Sequence, residues 1–204
     1  MLLGPTGSGK TPLGRALEKN GYEGRRCVHF DFGANLREVA ALKRPPRGFT
    51  EADMAVIRDS LRTGALLENK NFPIVEKIMG RFRRKRRMGH DDLLVLNGLP
   101  RHKGQAVDLE ATVRVTAVIL LDASLELVQG RIRRDAGGDR RGRMDDSAAE
   151  IARKYAVYME RTKPLLDYYA RRGVPIRRIR VDEESTAETE IKSISGGGST
   201  ACPD

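Results

Sequence analysis

Gly4-Pro5-Thr6-Gly7-Ser8-Gly9-Lys10-Thr11 decides the reading of this chain. The stretch fits the phosphate-loop pattern G-x-x-x-x-G-K-[ST] at every position. Its glycines let the backbone turn tightly and bring successive N–H groups toward phosphate oxygens. A helix is expected from Lys10 to about Lys19, and its unpaired N-terminal N–H groups favour an anion. Lys10 is placed to reach the outer phosphates of a nucleotide, and the Thr11 hydroxyl to ligate Mg²⁺. Only Met1-Leu2-Leu3 stand upstream as a strand, against the usual five or six residues.

Working outward, apolar strand-like runs alternate with helical patterns. Arg26 to Phe30 reads as a strand ending at Asp31, and Gly33 opens a helix through about Leu42. Thr50 with Asp53 has the spacing of a capping box, and Gly64 ends the helix that follows. Asn69 or Asn71 begins another helix. Leu93 to Leu96 and Thr116 to Leu121 suit buried parallel strands. A helix is expected from about Gln105. Ser124 caps the helix that carries Arg131, and Asp146 or Ser147 begins a long helix predicted to run to about Tyr169. Val174 to Val181 supplies the last strand and Thr186 to Ile194 the last helix. Ser195 to Asp204 reads as a flexible tail. This alternation implies a parallel sheet with right-handed crossovers.

A length of 204 residues suits one α/β domain, and 39% hydrophobic residues suffice for its core. No apolar run approaches the ~20 residues of a membrane span, and no signal-peptide pattern opens the chain. The expectation is a cytoplasmic monomer without membrane contact. Cys27 and Cys202 lack metal or disulfide spacing. The net charge of +10 is spread over many segments. That favours a site for several phosphates over a nucleic-acid surface, although Arg81 to Arg87 keeps RNA in view.

In its order of motifs the chain resembles the adenylate kinase and nucleoside monophosphate kinase family over nearly its whole length. Gly4 to Thr11 matches that family's phosphate loop, and Gly33 with Arg37 its acceptor segment. Gly64-Ala65-Leu66-Leu67 is similar to the stretch that meets the acceptor base. Asn97-Gly98-Leu99-Pro100-Arg101 is similar to the family's Asp-Gly-Phe-Pro-Arg, and Gln105 stands where a glutamine reads the acceptor adenine. Arg131, then Arg143-Met144-Asp145-Asp146, match the arginines flanking a short lid, and Lys154 stands at a second helix arginine.

The resemblance implies a P-loop NTPase three-layer α/β/α fold with a five-stranded parallel sheet. Residues 1–194 would form the kinase domain, with a helical acceptor-side insertion at about 34–90 and a lid at about 135–143. It implies ATP and Mg²⁺ as cofactors, small nucleotides as partners, and transfer of the γ-phosphoryl group to AMP or another monophosphate. Gly4, Thr6, Gly7, Ser8, Gly9, Lys10, Thr11 and Arg131 would hold the donor. Gly33, Arg37, Leu66, Arg101 and Gln105 would hold the acceptor, with Thr11, Asn97 and Asp31 toward the metal. Lys10, Arg101, Arg131, Arg143 and Lys154 would serve the transfer itself.

Departures from the family keep two other readings open. Asn97 replaces an aspartate, so it accepts a hydrogen bond without bringing negative charge. Phe32 replaces a threonine near the acceptor base, and Ala34 an aspartate. Asp31 ends a strand at the sheet edge where ligands bind. It serves either as a helix cap or as a base for a hydroxyl acceptor, as in kinases similar to shikimate kinase. The third reading is a nucleotide-binding module of low turnover.

Overall fold

The structure, a computed structural model, describes residues 1–138 and 147–195. Arg143, the Met144-Asp145-Asp146 motif, the far part of the expected lid and the tail beyond Ser195 lie outside the described residues. Five strands, β1 (Leu2–Leu3), β2 (Cys27–Asp31), β3 (Leu93–Asn97), β4 (Val118–Asp122) and β5 (Ile176–Arg180), form one parallel sheet ordered β2-β3-β1-β4-β5. This is the expected P-loop α/β architecture.

Alternation along the strands sorts side chains to two faces. Leu2, Val95, Ile119 and Leu121 pack with Leu13 and Leu17 of α1 (Lys10–Asn20). Leu3, Val118 and Leu120 pack on the opposite face with residues that follow β3 and with Leu165 and Tyr169. Val28, Phe30 and Leu96 pack into the cluster built by α2 (Phe32–Ala40), α3 (Glu51–Thr63) and α4 (Phe72–Lys85).

Local signals end these helices as read. Thr50 and Asp53 close a reciprocal capping box at α3, worth about 1 kcal/mol. Gly64 ends α3 in the left-handed conformation. α5 (Lys103–Leu109) starts two residues before the expected Gln105, because His102 Nδ1 accepts the Gln105 N–H and so caps it. α6 (Leu125–Arg133) is capped by Ser124 and α7 (Ala148–Val157) by Ser147.

The single long helix expected to Tyr169 is a correction. α7 widens into a π-helical turn, Tyr158–Thr162, closed by Lys163 N–H on the Tyr158 carbonyl, before α8 (Leu165–Ala170). Pro164 is the cause: it has no N–H to give the carbonyl four residues back, and its ring crowds that carbonyl. α9 (Ala187–Ser195) returns beside α1.

β1 and β3 are neighbours, yet α1 leaves toward one face of the sheet and α5 toward the other. Such a switch point opens a crevice above the carboxyl ends of the strands.

One packing contact there is unforgiving. A Cβ on Gly14 of α1 would lie 2.3 Å from Nε2 and 2.8 Å from Cε1 of the buried His29 ring. Alanine ordinarily gains about 1 kcal/mol over glycine inside a helix. Here Gly14→Ala is expected to destabilise by about 1–3 kcal/mol, since a buried ring must move. Urea unfolding monitored by circular dichroism checks the sign.

Candidate active site

A cleft of about 270 Å³ lies over the switch point. Every site residue named from the sequence lines it except buried Ser8 and Arg143, which lies outside the described residues.

Its floor is the loop between β1 and α1. Gly4 has φ 149°, and a Cβ on it would stand 2.6 Å from the Leu121 carbonyl oxygen, so only glycine brings the loop this close to β4. Lys10 Nζ bends back to donate to the carbonyls of Gly4 at 2.8 Å and Pro5 at 2.5 Å. Its ammonium is therefore held directly over the loop.

Beside it, β2 and β3 place Asp31 and Asn97 as register partners. Thr11 Oγ1 donates to Asp31 Oδ2 at 3.0 Å, and Asn97 Nδ2 donates to Thr11 Oγ1 at 3.1 Å and Asp31 Oδ2 at 3.3 Å. Asn97 Nδ2 also lies 3.3 Å from His29 Nε2, so the amide stands between Thr11, Asp31 and the buried imidazole. Burial lowers the His29 pKa, against the pull of Asp31. Asp31 Oδ1 meanwhile accepts the Ala34 N–H at 2.8 Å and caps α2. The same carboxylate caps a helix and reaches Thr11.

On the acceptor side, a Cβ on Gly33 would touch Arg37 Nη1 at 3.4 Å, so its bareness makes room for that guanidinium. Neither Arg37 nor Arg101 has an ion-pair partner among the described residues. Water reaches Arg101 through the cleft mouth, yet protein stands on most sides, and this desolvation lowers its pKa while leaving it a cation. Gln105 is 1% exposed and its amide is already engaged. Oε1 accepts the Arg101 N–H at 2.8 Å, and Nε2 donates to the Leu67 carbonyl at 2.8 Å. Phe32 is buried, 6.2 Å from the Phe30 ring between centroids, in the cluster shared with α2 to α4.

On the donor side, Arg131 Nη1 donates to the carbonyls of Asp182 at 2.7 Å and Ser185 at 3.1 Å. Lys154 lines the cleft from α7, while Arg153 pairs with Glu150. The π-helical turn ties the walls together: Thr162 Oγ1 donates to the Arg101 carbonyl at 2.7 Å, and Arg161 makes a bidentate pair with Glu68 at 2.6 and 3.0 Å.

Three participants went unread in the sequence. His29 looked like one more strand residue, and Arg161 like one more surface arginine. Glu190 did leave a signal: it falls on the apolar stripe of α9 that Ile191 and Ile194 continue.

A family model described as an AAA domain matches residues 3–152. The chain is 31% identical over 201 residues to an adenylate kinase of Stenotrophomonas maltophilia (strain R551-3), covering 94% of this chain and 95% of that one. It is 30% identical over 186 residues to an adenylate kinase of Bartonella tribocorum (strain CIP 105476 / IBS 506), covering 85% and 87%. This chain belongs to the adenylate kinase family. It is a P-loop phosphotransferase acting on nucleotides.

Kinases of this family use ATP and Mg²⁺, and the residues present fit both. The glycine cradle and the Lys10 ammonium suit polyphosphate. Thr11 and Asp31 offer hard oxygen atoms at one edge, as Mg²⁺ requires, while Asn97, expected toward the metal, turns its amide nitrogen to both. No cluster of three or more His, Cys, Asp or Glu able to hold a metal occurs among the described residues. A site of few side chains plus substrate phosphates is the usual Mg²⁺ arrangement. Among the described residues, no helix is long and apolar enough to cross a membrane.

The amide of Asn97 makes position 97 testable. Asn97→Asp exchanges a donor for a second carboxylate beside Asp31 Oδ2, now 3.3 Å from Nδ2. Two such carboxylates repel unless a cation intervenes. The variant is expected to melt several degrees below the parent in EDTA and to regain most of the loss in Mg²⁺. Thermal melts with and without Mg²⁺ check this; an equal Mg²⁺ response in both proteins would place the metal elsewhere.

Proposed function

We propose that this kinase transfers the γ-phosphoryl group of ATP to a nucleoside monophosphate, with AMP the preferred acceptor. The observation that carries the reading is the pair of cleft arginines, Arg37 and Arg101, that lack an ion-pair partner among the described residues. Two guanidiniums converging on one cleft suit a phosphate dianion, which each can grip bidentately. In the reaction an acceptor phosphate oxygen bonds to the γ-phosphorus as the bond to the β–γ bridging oxygen breaks, and ADP leaves. Lys10, Arg131, Arg143 and Lys154 compensate the charge moving between donor and acceptor.

Asp31 weighs against a hydroxyl acceptor. Oδ2 accepts from both Thr11 and Asn97 and Oδ1 caps α2, which leaves a single lone pair, on the capping oxygen. A base needs a lone pair directed at substrate. AMP is preferred because Gln105 keeps one N–H and one lone pair beyond its two backbone bonds, and Leu66 lines the cleft nearby. In this reading residues 34–90 act as the acceptor-side piece and 135–143 as a lid, and the enzyme works as a cytoplasmic monomer.

Coupled ADP production with AMP, GMP, CMP and UMP tests the reading. AMP is expected to lead in kcat/KM by at least about tenfold. Another monophosphate in the lead would reassign the base. Turnover on none of them, with ATP bound, would favour the low-turnover module.

A further inference from the structure

Glu190 lies in the first turn of α9, 3% exposed, and neither carboxyl oxygen has a hydrogen-bond partner among the described residues. Arg131, 4% exposed, also has its Nε unpartnered there, while Nη1 is spent on the Asp182 and Ser185 carbonyls. The two side chains meet at the phosphate loop. A Cβ on Gly9 would stand 3.3 Å from Glu190 Oε1 and 3.6 Å from Arg131 Nη2. Gly9 is the residue that caps α1, where the helix presents its N–H groups.

An ionised carboxylate buried without a partner costs several kcal/mol, and a neutral acid costs much less. Desolvation accordingly pushes the Glu190 pKa up to about 7. Arg131 from α6 opposes that rise, while Asp182 after β5 and Glu188 on α9 reinforce it. Arg15 and Lys19 of α1 and Lys192 of α9 share the hollow beside it, and Arg177 of β5 reaches the Ile194 carbonyl further along α9. The charged and neutral forms are therefore close in free energy at neutral pH. A polyphosphate in the loop adds negative charge nearby and competes for Arg131, and both effects favour the neutral acid.

We propose that Glu190 is a proton-linked positioning residue of the donor site, shifting toward its protonated form by proton uptake from solvent when nucleotide polyphosphate occupies the loop and shifting back on release. The protonated acid leaves Arg131 to the nucleotide and removes a repelling charge from behind Gly9. This inference rests on the loop holding donor phosphates and not on the identity of the acceptor. The sign follows from linkage: binding that takes up a proton weakens as pH rises past the pKa of the unliganded protein, by at most about tenfold per pH unit.

The test is calorimetric titration of parent and Glu190→Gln with Mg²⁺ and β,γ-methylene-ATP from pH 6 to 8.5, in buffers of different ionisation heat. Comparing the two proteins removes the titration of the ligand itself. The parent is expected to take up more protons than the variant above pH 7. The two affinities should agree near pH 6, with the variant about fivefold tighter by pH 8. Equal proton counts and parallel pH profiles would overturn the proposal, as would weaker binding by the variant at pH 8. Loss of binding in both proteins would strike the phosphate-loop assignment and the proposal with it. Should Glu190→Gln fold poorly, ¹³C titration of the Glu190 carboxyl in the parent decides. Its midpoint is expected to rise by about one pH unit when the analogue binds; an unchanged midpoint overturns the proposal.

Discussion

Lys10→Ala is expected to transfer phosphoryl groups about a thousandfold more slowly than the parent while melting at nearly the same temperature. Lys10 opens α1, where alanine is a favourable helix residue, so the helix survives. Its Nζ reaches the carbonyls of Gly4 and Pro5 from a side chain that is itself only partly buried and lines the cleft, so water can take the place of the lost ammonium at small cost. The chemistry has no such substitute. Removing one fixed donor from a developing charge costs about 3–4 kcal/mol in enzymes generally, and a thousandfold in rate is about 4 kcal/mol. A coupled ADP assay beside a thermal melt separates the two effects. Parent-like turnover would remove the phosphate loop from the centre of this site.

Arg101→Ala is expected to raise the KM for the monophosphate by about 30- to 1000-fold, with the KM for ATP changed much less. The loop around Arg101 is held by its backbone: its N–H donates to Gln105 Oε1 and its carbonyl accepts from Thr162. Truncating the side chain therefore leaves the loop in place and removes one phosphate fork. Losing one partner of a desolvated charge pair costs about 2–4 kcal/mol, which gives the stated range. Asp31→Asn is the control. Asparagine caps a helix as well as aspartate does, so the variant should shift the same KM by less than about tenfold. Steady-state kinetics on both variants give the comparison. If Asp31→Asn were the dead variant, and the parent phosphorylated no monophosphate, a hydroxyl acceptor would replace the present reading.

The acceptor side shows where sequence reading stopped short. The resemblance offered Gln105 as a reader of adenine, yet its amide first joins the Arg101 loop to Leu67. Nothing in the spacing of those residues reveals that bond, because Gln105 and Leu67 stand 38 positions apart. Phe32 is a similar case. As a replacement near the base it left open where its ring would lie, and the ring packs with Phe30 in the core. The break before Pro164 was legible and was passed over, since proline cannot continue the α-helical ladder.

The sequence by itself determined the phosphate loop, the alternation of strands and helices, and the ends of helices at Thr50, Gly64, Ser124 and Ser147. Each depends on residues within a few positions of one another, through backbone freedom, cap chemistry or side-chain period. The tertiary structure alone decided that Thr11, Asp31, Asn97 and His29 form one network, and that Glu190 and Arg131 meet behind Gly9. Asn97 and Thr11 are 86 positions apart and become neighbours only because β3 inserts between β2 and β1. Strand order is a property of how the whole sheet packs, and burial without a partner is a property of everything that surrounds a side chain, so neither can be read from a local run of residues.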